Sequence, residues 1–320
     1  MAAAAALVAL PLTLALVSAP AQRDPDVAFT FTDPEIVESS GLVMTDELAV
    51  TVNDSGDSAR IFTVDRRTGD TVGVTTWSAD VVDVEALAPA GADEVWVGDI
   101  GDNPRRRESV VVTKVPFGRG DRDVEGESYE LVYPDGSRDA EALASDPRTG
   151  RLYVISKDVF GGTVYRAPKR LDPTAPNRLE AVADAPGLAT DAAFTPDGSR
   201  LLVRNYAQLA ALEVPGFAEL GAMRLPAQQQ GEGIAVDPAG EVFLSSEGAE
   251  SEVLRVDLAP ALAAGPSHES SATPSAPSVE PEPEPEPTGD EDDPDVWPWL
   301  LGTGLGVAAL LVLVRSLRPR

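Results

Sequence analysis

One phrase recurs five times between Glu38 and Glu247, and its period leaves few folds open. Each copy holds an acidic residue, a few small or apolar residues, a turn, a second apolar run and a polar cluster. The copies run from Glu38-Ser-Ser-Gly-Leu-Val to Asn53-Asp54, from Glu85-Ala-Leu-Ala to Asp99, and from Glu141-Ala-Leu-Ala to Lys157. The last two run from Asp191-Ala-Ala-Phe to Arg204-Asn205, and from Glu232-Gly-Ile-Ala-Val to Glu247. Successive acids are 47, 56, 50 and 41 residues apart. A period of about 40 to 50 residues built from short strands marks a β-propeller, in which a four-stranded blade cannot bury its own faces and must stack on its neighbours.

The turns agree with this reading. Asp146-Pro-Arg-Thr-Gly150, Thr195-Pro-Asp-Gly198 and Asp237-Pro-Ala-Gly240 separate the two apolar runs of their copies, supplying the residues hairpin loops require. Third and fourth strands follow in most copies, for example Ala59–Val64 and Thr71–Thr76 in the first. The fifth copy has a third strand, Glu252–Val256, and nothing after it. The segment Val27–Phe31 would supply the missing strand and close the ring, removing the exposed edges that invite aggregation. The expected fold is therefore all-β, a propeller of five blades over residues 22–258. Six is the alternative if the long spacing around residues 103 to 138 conceals another blade.

The flanking segments give an address. Residues 1–21 carry no charge and end in Ala19-Pro20-Ala21, which reads as a secretory signal peptide. Residues 259–296 hold nine prolines, ten acids and no Lys or Arg, a composition expected to form a disordered stalk. Residues 297–314 are uncharged and, at about 1.5 Å per residue, just long enough to cross a bilayer as one transmembrane helix. A basic tail, 315–320, follows. Positive-inside logic then makes the chain a single-pass protein of the cell membrane, with its N-terminal domain extracellular and its C-terminus cytoplasmic.

Setting stalk and tail aside leaves 43 acids against 22 bases, a charge of −21 on the propeller. Such a surface repels nucleic acid and favours a cation or a cationic partner. The chain has no cysteine, and its single histidine, His268, lies in the stalk. Ser-His-Asp and Cys-His nucleophiles are thereby excluded from the propeller, and a metal there would be held by oxygen, which favours calcium.

If each acid begins an innermost strand, Glu38, Glu85, Glu141, Asp191 and Glu232 encircle one mouth of the central channel. The second strands return Lys157, Arg204, Tyr206 and Glu247 to the same end. Asp54 and Asp57, and Asp99, Asp102 and Asn103, have the dense oxygen spacing of calcium loops, a pattern that ordinary turns also produce. So many converging carboxylates raise one another's pKa unless protein cations or a metal intervene.

The phrases Asn53-Asp-Ser-Gly-Asp57, Gly98-Asp-Ile-Gly-Asp-Asn103, Asp139-Ala-Glu-Ala-Leu143 and Gln230-Gly-Glu-Gly-Ile234 resemble those of exported bacterial β-propellers of the broad group holding NHL-type, SMP-30-like and phytase-like members. The resemblance covers about residues 30 to 258 and implies the fold. Its phytase-like members would imply calcium and phosphate, but no full ligand set maps onto this chain. The expectation is a membrane-anchored propeller that binds an extracellular ligand or protein partner at the acidic mouth, with calcium where a metal is held. A calcium-dependent hydrolase of the phosphoesterase or lactonase kind, and a structural envelope scaffold, are the alternatives.

Overall fold

A computed structural model describes residues 26–54 and 56–263. The segments expected to form a signal peptide (1–21), most of a stalk (259–296), a span (297–314) and a tail (315–320) lie outside the described residues. Among the described residues no helix is long and apolar enough to cross a membrane.

The described chain forms five sheets, one per copy of the repeat and each built on four antiparallel strands, so the blade number is five. The first blade is β2 (Ser39–Met44), β3 (Leu48–Asn53), β4 (Arg60–Asp65) and β5 (Thr71–Trp77), following β1 (Asp26–Thr30) in the chain. The second is β6 (Val84–Pro89), β7 (Glu94–Asp99), β8 (Val110–Pro116) and β10 (Glu127–Val132), with β9 (Arg122–Val124) inserted before its last strand. The third holds β11 (Ala140–Ser145), β12 (Leu152–Ser156), β13 (Gly162–Arg166) and β15 (Glu180–Ala185), with β14 (Asn177–Arg178) inserted likewise. The fourth is β16 (Asp191–Phe194), β17 (Arg200–Arg204), β18 (Gln208–Glu213) and β19 (Glu219–Arg224). The fifth is β20 (Gly231–Val236), β21 (Val242–Ser246) and β22 (Glu252–Val256), completed by β1, which pairs antiparallel with β22.

That pairing closes the ring between the two ends of the propeller. Phe29 and Phe31 of the entering segment are buried against Phe243 and Val253, and the Phe31 amide donates to the Ser251 carbonyl at 3.1 Å. The long spacing that allowed for a sixth blade is spent otherwise. Strand β9, within that spacing, runs parallel to β5 on the outer edge of the first blade, and β14, from the third copy, likewise runs parallel to β10 on the second. The surplus chain thus covers a neighbour's edge instead of building another sheet, consistent with the pressure on open edges.

Five apolar clusters hold the molecule together, one at each interface between adjacent blades. Val50 and Ile61 of the first blade meet Leu87 and Val97 of the second, and Leu202 and Leu209 of the fourth meet Leu244 and Leu254 of the fifth. Both faces of the inner strands are therefore buried, and these strands read as near-continuous runs of small and apolar residues, whereas outer strands such as β10, β15 and β19 are largely exposed. After β22 the chain stays packed through α1 (Pro260–Ala263), whose Leu262 is buried in the cluster between the fourth and fifth blades.

Near the axis the wedge-shaped sheets crowd, which accounts for the Ala-Leu-Ala wording of the inner strands. Gly41 shows how tight the approach is, since a Cβ there would overlap the backbone of Ala86 and Leu87 in the next blade. Backbone cannot yield as a side chain can, so Gly41→Val should cost about 3 kcal/mol or more. The check is the chemical denaturation midpoint, and an unchanged midpoint would mean the inner strands stand farther apart.

Candidate functional site at the acidic mouth of the channel

Every inner strand starts at the same end of the ring, and antiparallel pairing returns the end of the second strand beside it. Thus Ala140 pairs with Ser156, Asp191 with Arg204, and Gly231 with Ser246. The repeated acids and the repeated polar clusters accordingly share one mouth. Their roles there differ.

Asp191 is fully buried and works as a staple between blades. One carboxylate oxygen accepts from its neighbour Ala192 N at 2.8 Å, and the other from Ile234 N of the fifth blade at 2.8 Å. Burial pushes its pKa well up, against these two donors and Arg204. Arg204 is a second staple: its Nη1 reaches the Gly233 and Ser245 carbonyls at 3.0 and 3.2 Å, and burial lowers its pKa to about 10. Neither of these two is displayed at the mouth as a ligand.

Glu141, Lys157 and Tyr206 form a connected group. Lys157 Nζ donates to a Glu141 carboxylate oxygen and, at 2.9 Å, to the Tyr206 hydroxyl. Burial drives the Glu141 pKa to about 7, with the lysine ammonium opposing the rise. Glu232 is pushed to about 8 by burial, then by Glu141. Glu38 and Glu247 are joined by an isolated antiparallel bridge, and Glu247 accepts from Gln230 Nε2 at 2.6 Å.

Glu85 is strongly perturbed as well. It is 4% exposed, and burial, then the charges of Asp54, Glu141 and Asp83, push its pKa to about 10 against Lys157. Its one described side-chain hydrogen bond comes from Ser40 at a long 3.4 Å. Asp54, Asp83 and Glu85 each offer an oxygen, and the three oxygens lie within 4.8 Å of one another. Among the described residues this is the one set of three or more acids so arranged. Gly101 lies directly over it, because a Cβ there would overlap the carboxylates of both Asp83 and Glu85.

The two loops expected to bind metal are thus divided by the fold. Asp54 belongs to the three-acid set, whereas Asp57 binds Arg60 Nε and Asn53 Nδ2, each at 2.9 Å. Asp99 accepts from Val82 N at 3.1 Å, from Asp83 N at 2.9 Å and from Arg107 Nη1 at 2.7 Å. It therefore positions the backbone that carries Asp83. Asp102 caps its own loop, accepting from Arg106 N and Arg107 N at 2.9 and 2.8 Å, and Asn103 is exposed. Asn53 plays the same part in the first blade that Asp99 plays in the second, accepting from Val37 N and Glu38 N at 3.1 and 3.2 Å.

Asp83 escaped the sequence reading because it lies in the connection before the inner strand and not at the repeated position. The pattern Asp83-x-Glu85 is visible in the sequence, but so is Asp139-x-Glu141, and Asp139 is spent accepting from Asp102 N at 2.9 Å. The other mouth is different in kind. A cavity of about 770 Å³ opens there, with Met44, Pro89, Phe194 and Val236 among its lining residues.

Fold and site define the class: a five-bladed propeller with buried carboxylates at one channel mouth. No family model matches the chain, and no curated protein matches it. Among solved structures it is similar to that of a glucose dehydrogenase, at 11% identity and a TM-score of 0.43, over 74% of this chain and 100% of the other. A likeness of that order carries no argument about activity.

Proposed function

We propose that the propeller is a binding module whose acidic mouth captures a hard divalent cation, calcium in the first instance, and through it a ligand. The observation that supports this reading is the approach of Asp54, Asp83 and Glu85 oxygens to within 4.8 Å of one another. Without a cation these like charges, Glu85 buried and Asp54 and Asp83 half-buried, oppose one another, and a divalent ion would relieve that repulsion while taking all-oxygen ligands. The open coordination positions would be left to solvent or ligand. Anchoring through residues 297–314, with the propeller outside the cell, is part of the same proposal.

The test is thermal melting of the full chain after chelation, as calcium is added. A hundredfold excess over Kd should contribute about 2.7 kcal/mol, or roughly 5 to 10 °C in Tm. No shift, together with no metal in elemental analysis, would sink the calcium reading. A second reading, a metal-assisted hydrolase, draws on Glu141, whose pKa near 7 suits proton transfer beside Lys157 and Tyr206. Calcium-dependent turnover of phosphoesters or lactones, lost in Glu141→Gln, would select it.

A further inference from the structure

The loops around the acidic mouth are unexpectedly apolar. Among the described residues eight large hydrophobic side chains are exposed, and six of them, Val37, Val82, Val159, Phe160, Leu188 and Tyr206, sit in loops at this one mouth. Single exposed hydrophobics are ordinary, but a group of them around one opening marks an interaction surface. Phe160 is 103% exposed, at the tip of the β12–β13 loop.

Four of the six belong to one continuous ridge. The Leu188 amide donates to the Asp158 carbonyl at 2.9 Å, which locks the loop before β16 onto the loop bearing Val159 and Phe160. Asn205 Nδ2 donates to the Gly187 carbonyl at 3.1 Å, which ties in the loop bearing Tyr206. The Tyr206 ring lies 5.3 Å from Lys157 Nζ, so the ridge ends beside Glu141 and Glu232. An aromatic and aliphatic ridge thus flanks a pit of buried carboxylates. Two cations face these carboxylates, Lys157 on Glu141 and the buried Arg204 beside Glu232, whereas Arg105 pairs with Asp158 and Arg107 with Asp99.

We infer that this mouth docks a protein partner that places a lysine or arginine side chain into the carboxylate pit while adjacent aromatic or aliphatic residues cover the Phe160–Leu188–Tyr206 ridge. The inference rests on the mouth being the binding face, and it names the partner's chemistry. Charge complementarity decides for a basic partner. An acidic segment would be repelled by Glu38 and Glu247 and would hold the proton on Glu232, whose pKa burial raises to about 8, whereas an incoming cation would favour its ionised form; one divalent ion at Asp54, Asp83 and Glu85 leaves these groups in place. The same repulsion opposes occupation by this chain's own residues 259–296, which carry ten acids and no Lys or Arg. A rigid aromatic anchor beside a desolvated charge is the arrangement found at interface hot spots.

The test pans a random dodecapeptide phage library on the full chain at physiological salt. Enriched sequences should carry Lys or Arg next to an aromatic or aliphatic residue. A synthetic copy of the best binder should lose at least tenfold in affinity on Phe160→Ser and on Glu232→Gln. It should keep its affinity on Leu220→Ser, which changes an exposed apolar residue of β19 away from the mouth. Phe160 is fully exposed, so its variant should fold even if the Glu232 variant does not. Absence of enrichment, enrichment of acidic peptides, or binding indifferent to Phe160→Ser would overturn the inference. Calcium-dependent melting measured alongside separates the two readings: stabilisation by calcium without basic peptides removes only the partner, and basic peptides mapping to the mouth without stabilisation remove only the metal.

Discussion

Removing residues 26–31 should abolish cooperative folding of the propeller. Strand β1 is the outer strand of the fifth blade, although it comes first in the chain, so its loss opens the ring at β22. It also strips Phe29 and Phe31 from the cluster between the fifth and first blades, where Phe31 is 0% exposed. A ring of blades buries both faces of each sheet only while it is closed, and an opened edge at β22 is a template for aggregation. The measurement is denaturant unfolding followed by circular dichroism, with sedimentation to detect association. A graded control is Phe31→Ala, which should cost about 3 to 5 kcal/mol as a large-to-small change in a packed core. An unfolding midpoint unaltered by either change would show that closure contributes little.

Glu85→Gln should weaken the dependence of the protein's stability on both calcium and pH. Glu85 faces Asp54, Asp83 and Glu141 as like charges and Lys157 as the opposite one. Burial first, and those acids second, raise its pKa from 4.5 to about 10. A carboxyl raised in the folded state holds a proton that the unfolded chain has released, so its contribution is fully present below 4.5 and is lost as pH rises towards 10. The slope from one such group is at most about 1.4 kcal/mol per pH unit. Metal-free protein should therefore lose stability between pH 6 and 9, and Glu85→Gln should flatten that loss. The flattening is partial, because Glu141 near 7 and Glu232 near 8 act in the same direction over narrower windows. Calcium should stabilise wild type more at pH 8 than at pH 6, since it binds the ionised form, and Glu85→Gln should weaken calcium at least tenfold. Parallel pH curves for variant and wild type would mean that Glu85 ionises normally.

The two aspartates before inner strands show where the sequence ceases to inform. Asp83-x-Glu85 and Asp139-x-Glu141 are alike in writing and adjacent in the ring. In the second blade Asp99 holds the backbone that aims Asp83 towards Glu85 and Asp54. In the third, Asp139 is claimed by the amide of Asp102 from the blade before, and Glu141 by Lys157. The contacts that separate the two cases cross between blades, Asp54 approaching Asp83 and Glu85 in one and Asp102 donating to Asp139 from 37 positions away in the other, whereas Asp99–Asp83 and Lys157–Glu141 join strands of one blade 16 positions apart. No local pattern encodes them.

What the sequence determined by itself is the repeat and its consequences. The period specified blades, the truncated fifth copy and the leading Val27–Phe31 segment specified closure, and the position of each acid at the head of an inner strand specified a shared mouth. These follow from strand alternation and hairpin geometry, which are local. What only the tertiary structure decided is how the five acids divide their work. Asp191 and Arg204 bind blades together, Glu141 takes a lysine, and Glu85 is left with Asp54 and Asp83 under Gly101. The physical reason is that a buried carboxylate is governed by the donors and charges within a few ångströms of it, and around a closed ring most of those come from the neighbouring blade.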